Sequence, residues 1–303
     1  MEPIFITENE INDLNINLDS CFGWTDEMLK NKEGSLLPPK ISIKPNEGYF
    51  YNVMPTVLPQ FNIAGVKLVN RYPNRVPSLN SKIMLYDYET GYMKALLDGD
   101  FITAMRTACV AVNSIELFAI KDYKTIGFIG LGLIGQYIMD CLYHKLNGRE
   151  VVIKLYNHKN TAQNFINKNK HMTNIKFEIY DTYDDVIKDS DVIISAVTYI
   201  AGLFCDNNDC YKKGCLVLPV HTRGFQNCDT FFDKVYCDDI SHVEGFKDYD
   251  VFKDKLCEVS SVINKQNEGR INNDERIIVY NIGIAIHDIY FANKIYELYV
   301  NSK

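Results

Sequence analysis

The chain lacks several features that would place it in other classes. It has no basic excess: 32 Lys and Arg stand against 39 Asp and Glu, a net charge of −7. That balance is the reverse of a nucleic-acid footprint. Its apolar runs break within about 10 residues, short of the roughly 20 that a membrane span requires. The opening stretch, MEPIFITENEIND, carries neither the basic nor the apolar region of a signal peptide. No internal repeat or low-complexity tract occurs, and no CxxC pair. The nine cysteines (Cys21, Cys109, Cys141, Cys205, Cys210, Cys215, Cys228, Cys237 and Cys257) are scattered and odd in number. They do not read as a disulfide scaffold, and Cys205, Cys210 and Cys215 are too widely spaced for a zinc knuckle. What is present is a 303-residue chain, 47% hydrophobic and 23% charged, enough for a real core and about two domains. The expectation is a soluble, cytoplasmic protein with no nucleic-acid or membrane partner.

The patterning changes along the chain. The first 60 residues read as irregular, with turn signals at Leu37-Pro38-Pro39 and Met54-Pro55. Residues 63–69 and 81–87 read as strands, and Glu89-Thr90-Gly91 as a hairpin turn into a third at 93–97. From Asp100, which suits an N-cap, the apolar spacing predicts a helix over about 101–120. Strand and helix then alternate: a strand ending in TIGFIG, a Gly-rich turn, a helix over 135–146, strands at 151–156 and 176–180, and the buried strand DVIISAV at 191–197. Short strands follow at 216–219 and 234–236, and the segment 274–300 reads as one long helix containing Gly283. The βαβαβ alternation predicts an α/β fold with a doubly wound parallel sheet. The closing helix returns the chain to the first domain. The expected division is therefore 1–120 plus 276–303, with a Rossmann domain of 121–275 inserted.

The strongest local motif is Gly130-Leu131-Gly132-Leu133-Ile134-Gly135. A GxGxxG alone is weak, but here it joins an apolar strand to a helix, where it cradles a pyrophosphate at the helix N-terminus. The second strand ends in Tyr156-Asn157-His158-Lys159, without the acid that grips an NAD ribose. His158 and Lys159 suit a 2′-phosphate, so the reading is NADP(H) over NAD(H). In the first domain, Lys67 lies in an apolar strand and Arg106 in the small-residue helix Thr103-Ala104-Met105-Arg106-Thr107-Ala108. Buried cations need partners. Two readings stay open: a small carboxylate held by a two-pronged Arg pair, with Lys67 passing a proton, or a structural ion pair with an Asp. Asp238-Asp239, His242 and Glu244 read as a solvated loop rather than a metal site.

These residues carry a resemblance. Met54-Pro55, Gly65-Val66-Lys67, Thr90-Gly91, Ala95 to Gly99, Ile102 to Thr107, the glycine turn, Tyr156-Asn157-His158, Asp191 to Ile194 and Gly283 to Asp288 together resemble the ornithine cyclodeaminase/mu-crystallin family. The match runs from about residue 36 to the end; the preceding segment matches poorly and looks short. The resemblance implies a homodimer with a discontinuous domain for dimer formation and substrate, and a Rossmann domain for NAD(H) or NADP(H). It implies that Lys67 and Arg106 contact the substrate carboxylate, with Lys67 as acid/base. Lys40 stands where the family often has a further Arg, a weaker single-pronged grip. Thr107, Gly130, Gly132, Leu133, Ile134, Asn157, His158, Lys159, Ala196, Val197 and Gly283 are the implied cofactor residues. Where family cyclodeaminases carry a catalytic Asp, this chain has His221, and Asn227 stands for a later Glu with Asp229 close by. His221 reads either as a base or as a satisfied loop histidine. Arg223 suits a second substrate carboxylate.

The expected function is an NADP(H)-dependent oxidoreductase acting on the C–N bond of a small amino acid or its imine, with hydride transfer at the α carbon. The alternatives are a diamino-acid cyclodeaminase releasing ammonia, and a non-catalytic NADP(H)-binding protein.

Overall fold

A computed structural model describes residues 2–303, which divide into two compact units, 2–106 with 284–303 and 107–283. The first unit is built on a six-stranded sheet of β1 (Ile4–Ile6), β2 (Ile41–Ile43), β3 (Phe50–Leu58), β4 (Ile63–Arg71), β5 (Leu79–Asp87) and β6 (Met93–Asp98). The order is β1-β6-β5-β4-β3-β2, antiparallel except for the β1–β6 pair. In β4 the buried row is Ile63, Gly65, Lys67 and Val69. Period-two alternation thus drives the Lys67 side chain onto the core face. The helix Ala285–Asn301 covers that face, and it approaches closely at Gly65. A Cβ on Gly65 would sit 2.6 Å from both Ile289 Cδ1 and the Met84 carbonyl oxygen. This close approach seats the preceding residue of the helix, Asp288, against Lys67.

The first 60 residues are not irregular. Thr7 and Glu10 form a capping box that opens the helix Glu8–Asp13, and Asn17 caps Leu18–Lys30. The second of these helices buries Cys21, Phe22, Met28 and Leu29, and Trp24 meets Phe291 edge-on at 5.2 Å. Pro55 lies inside β3 instead of in a turn. It falls beyond the three-residue pairing of β3 with β2, where no ladder donor is required.

The helix predicted near 101–120 spans Asp100–Phe118. Asp100 is not its cap: its carboxylate accepts from Ser81 N and Oγ and from Asn80 Nδ2. By length and composition this 19-residue helix is apolar enough to cross a membrane, although most of it is buried within the protein. Arg106 and polar residues interrupt its apolar run, so the segment does not read as a span in sequence. The unit boundary falls within this helix, between Arg106 and Thr107, and not after residue 120. Ser81 holds Thr103 in the first unit (Oγ–Oγ 2.9 Å). In the second, Ser114 Oγ donates to Asn281 Oδ1, Phe118 stacks on Tyr236 at 4.4 Å and Arg270 donates to the Phe118 carbonyl.

The second unit is an eight-stranded parallel sheet of β7 (Thr125–Ile129), β8 (Val151–Tyr156), β9 (Ile175–Tyr180), β10 (Val192–Ser195), β11 (Leu216–Pro219), β12 (Lys234–Cys237), β13 (Leu256–Glu258) and β14 (Ile277–Tyr280). Its order is β13-β12-β14-β11-β10-β7-β8-β9. The order reverses between β7 and β10, the switch point beside which open α/β sheets bind ligands. β14 corrects the long helix expected over 274–300. Its run Ile277-Ile278-Val279-Tyr280 is wholly buried between β11 and β12, which suits β-branched residues better than a helix. Gly283 follows at φ +87°, and its N–H donates to Asp238 Oδ2 at 2.5 Å. Asp238 is therefore buried and structural, not part of a solvated loop.

Candidate active site

In the first unit Lys67 Nζ lies 2.8 Å and Arg106 Nε 2.9 Å from the same oxygen, Asp288 Oδ1. All three side chains are buried. Two cations share one anion, so the cluster keeps a net positive charge, while Asp288 Oδ2 is buried without a hydrogen-bond partner among the described residues. Burial pushes Lys67 down from 10.5 to about 8, helped by Arg106 and opposed by Asp288. Burial works against the Asp288 carboxylate, but Arg106 and Lys67 outweigh it and hold the group below its usual range. Lys40 is partly buried, and its charge also lowers Lys67. His287 is buried with no hydrogen-bond partner for either ring nitrogen among the described residues; burial and then Arg106 lower it to about 3, so it is neutral. Of the two sequence readings for Lys67 and Arg106, the structure shows the ion pair with an Asp, and two cations on one carboxylate leave a residual positive charge. Asp288 was quoted in the sequence only as part of a motif. The signal that could have found it is Lys67 itself, since a cation on the buried row of a strand demands an acid on whatever covers it.

In the second unit the turn after β7 has the shape that dinucleotide binding needs. Gly130 is at φ +95°, and a Cβ there would lie 2.6 Å from the Ala196 carbonyl carbon and 2.8 Å from Val197 N. A Cβ on Gly135 would collide with the Gly130 carbonyl oxygen. These two glycines are needed by the fold. Gly132 is different: a Cβ there meets nothing within 4 Å. It precedes the helix Leu133–Leu146 with no side-chain cap, so the first-turn amides, Leu133 and Ile134 among them, have no partner within the helix. These residues fit a dinucleotide pyrophosphate. At the end of β8, Asn157 Nδ2 donates to Asp181 Oδ1 at 3.2 Å, and His158 and Lys159 are exposed, Lys159 at φ +50°. Thr107 lies on the helix Asp100–Phe118, at the start of the second unit.

At the carboxyl ends of β10 and β11, His221 Nε2 lies 2.6 Å from Ser195 Oγ. His221 Nδ1 accepts the Arg223 backbone N–H at 3.4 Å, which assigns the ring proton to Nε2 and makes Ser195 its acceptor. Burial lowers His221 to about 4. In this arrangement the ring is neutral and both nitrogens are engaged. The Arg223 side chain is exposed and lies over the Tyr199 ring at 5.7 Å. Asn227 donates to Cys205 O and Asn208 Oδ1. Asp229 is buried against the Tyr280 hydroxyl at 2.6 Å, away from His221's bonding partners, and burial raises it to about 7. Ser195 was not singled out in the sequence; only the parallel register of β10 and β11, pairing Ser195 with Pro219, brings it to the His221 loop.

A parallel doubly wound sheet with a glycine turn at its switch point defines a dinucleotide-binding α/β protein. The chain belongs to the ornithine cyclodeaminase/mu-crystallin family, whose sequence profile matches residues 1–303. It is 28% identical over 279 residues to the nodulation efficiency protein NfeD of Rhizobium meliloti, covering 86% of this chain and 83% of that protein. It is 23% identical to a Δ1-pyrroline-2-carboxylate reductase of Bacillus cereus, over 97% of this chain and 96% of that one. Among solved structures, Thermococcus litoralis Δ1-pyrroline-2-carboxylate reductase in complex with NADH and L-proline superposes with a TM-score of 0.86 at 21% identity, covering 99% of this chain and 98% of that one.

Proposed function

We propose that this protein is a nicotinamide-dependent reductase that converts the C=N bond of a small imino acid, such as a cyclic pyrroline carboxylate, to the amine. The observation that carries this reading is the buried Lys67–Asp288–Arg106 cluster with its residual positive charge. Relatives named as pyrroline-2-carboxylate reductases support the substrate class. When bound, the cofactor supplies the hydride to the α carbon. Arg106 and Lys67 hold the substrate carboxylate. Lys67, lowered to about 8, still keeps its proton at neutral pH and gives it from Nζ to the imine nitrogen. The Asp288 carboxylate stabilises the protonated Lys67 between turnovers.

Cyclodeamination loses its expected acid here, because His221 is bonded at both nitrogens and Asp229 is paired with Tyr280. The finer cofactor reading is NADP(H). It rests on His158 and Lys159 at the end of β8 and on the absence of an acid there, although Asp181 lies nearby on Asn157. A homodimer belongs to the same reading and is supported by exposed Ile41 and Ile43 on the edge strand β2 and exposed Leu36, which bridges to Val57 of β3; light scattering at a dimer mass checks it. A cytoplasmic location fits nine cysteines of which none forms a disulfide. The function is tested by following NADPH and NADH oxidation with Δ1-pyrroline-2-carboxylate and a panel of imines. Oxidation is expected, with NADPH favoured about tenfold, a difference near 1.4 kcal/mol. No oxidation of either cofactor sinks the reading, and NADH preference sinks its NADP(H) part.

The pH profile follows from Lys67. An acid whose pKa lies at about 8 rather than 10.5 loses its proton as pH rises through 8. The expected kcat/KM is therefore level near neutrality and falls about tenfold per unit above pH 8. His221, lowered to about 4, adds no limb between pH 5 and 8. Lys67→Arg keeps its charge throughout and should abolish the alkaline limb while lowering the rate. A limb that persists unchanged in that variant excludes Lys67 as the proton donor.

A further inference from the structure

We propose that Asp184, Cys205 and Cys210 form a binding site for one thiophilic divalent cation of the zinc class, separate from the residues assigned above to substrate and cofactor. One carboxylate oxygen of Asp184 and the two Sγ atoms lie within 4.8 Å of one another. A tetrahedral ion with bonds of about 2.3 Å to sulfur and about 2.0 Å to oxygen needs ligand separations of roughly 3.5–3.8 Å. The present separations, within 4.8 Å, lie at most about 1 Å outside that range. Two sulfurs and one oxygen select a soft or borderline cation over magnesium or calcium, which take oxygen donors. Water completes the fourth position.

The frame around these three groups is held independently of any ion. Thr182 accepts from Asp185 N and fixes the turn that presents Asp184 at the start of the helix Tyr183–Ile187. Between the two cysteines, Asn207 Oδ1 accepts from Asp209 N at 3.0 Å, and Asn227 Nδ2 donates to both Cys205 O and Asn208 Oδ1. Tyr211 donates to the same Cys205 carbonyl. Tyr183 and Phe204, the residues immediately before two of the ligands, pack edge-to-face at 4.9 Å and clamp the two segments together. Such supporting contacts orient ligands in metal sites. Without an ion, Cys205 Sγ donates to Asn207 O at 3.3 Å. Binding replaces that S–H bond with a metal–sulfur bond and releases one proton from each thiol. The cysteine spacing alone is too wide for a knuckle; the third ligand comes from a separate segment that only folding brings near.

The test uses the reduced, full-length, metal-stripped protein titrated with Co2+. One equivalent is expected to give intense visible bands and a near-ultraviolet thiolate-to-cobalt band, both removed by Zn2+. Cys210→Ser should lose about half the charge-transfer intensity and bind at least tenfold more weakly. Asp184→Asn, at an exposed position, should keep the band and also bind at least tenfold more weakly, and it serves as the readout should Cys210→Ser fail to fold by circular dichroism. Cys257→Ser, outside the cluster, should change nothing. The proposal is overturned by a folded wild type without the charge-transfer band, by unchanged cobalt affinity in Asp184→Asn, or by a Cys205–Cys210 disulfide in protein isolated without oxidant.

Discussion

Replacing Arg106 by alanine is expected to lower kcat/KM for imine reduction by about a thousandfold, while the folded protein loses comparatively little stability. Removing one partner of a buried, charge-assisted contact costs about 2–5 kcal/mol; a loss near 4 kcal/mol in the transition state is about three decades of rate. Arg106 is one of two cations on Asp288 Oδ1. Taking it away leaves a one-to-one pair of Lys67 with Asp288, so no buried charge is stranded. Asp288→Ala has the opposite signature. It leaves Lys67 and Arg106 buried side by side without a counter-charge, and breaking such a pair costs about 3–5 kcal/mol of stability. Urea unfolding and steady-state kinetics on the two variants separate the roles. If Arg106→Ala unfolds as readily as Asp288→Ala yet turns over normally when folded, the cluster is structural and the carboxylate assignment fails.

The second large effect is at Gly132. Gly132→Ala should fold with an unchanged Tm and bind NADPH at least a hundredfold more weakly. A Cβ at this position meets no protein atom within 4 Å, and the backbone is not in the left-handed region. In the proposed cofactor site the added methyl would stand between a pyrophosphate and the helix N-terminus, and losing about 3 kcal/mol of such contact is two decades of affinity. Gly130→Ala provides the contrast. Its φ of +95° and the 2.6 Å approach to the Ala196 backbone make any side chain a folding defect. Thermal melts and titrations by the cofactor's own fluorescence read both. Tight NADPH binding by Gly132→Ala would show that no phosphate approaches that face.

The contrast between these glycines marks what was legible before the fold. The motif from Gly130 to Gly135 was readable because a local rule, strand to tight turn to helix, fixes the role of each glycine within a few residues. The alternation from β7 to β11 was readable for the same reason. The tail was not. The run Ile277 to Tyr280 is apolar on every position, and a fully buried parallel strand cannot be told from a buried helix by periodicity. Its place between β11 and β12 is a matter of long-range pairing. The N-terminal helices were written in their caps, Thr7 with Glu10 and Asn17, but short amphipathic segments carry little periodic signal of their own.

The candidate site divides along the same line. Lys67 and Arg106 stood out because a cation in an apolar or small-residue context is costly, and that cost can be read from neighbours in sequence. Their shared partner could not be, because Asp288 is on a helix that closes the chain and reaches Lys67 only where Gly65 admits it. The neutral state of His221 was likewise out of reach, since it depends on Ser195 across a strand register. By itself the sequence determined the family, the doubly wound sheet, the dinucleotide turn and the presence of two awkward cations. Those follow from local backbone rules and from the cost of burying charge. The tertiary structure alone decided which acid neutralises the cations, how far Lys67 is lowered, which glycine is open to a ligand, and that Asp184 meets two cysteines. Each of these is a through-space quantity, set by burial and by distances between segments far apart in the chain.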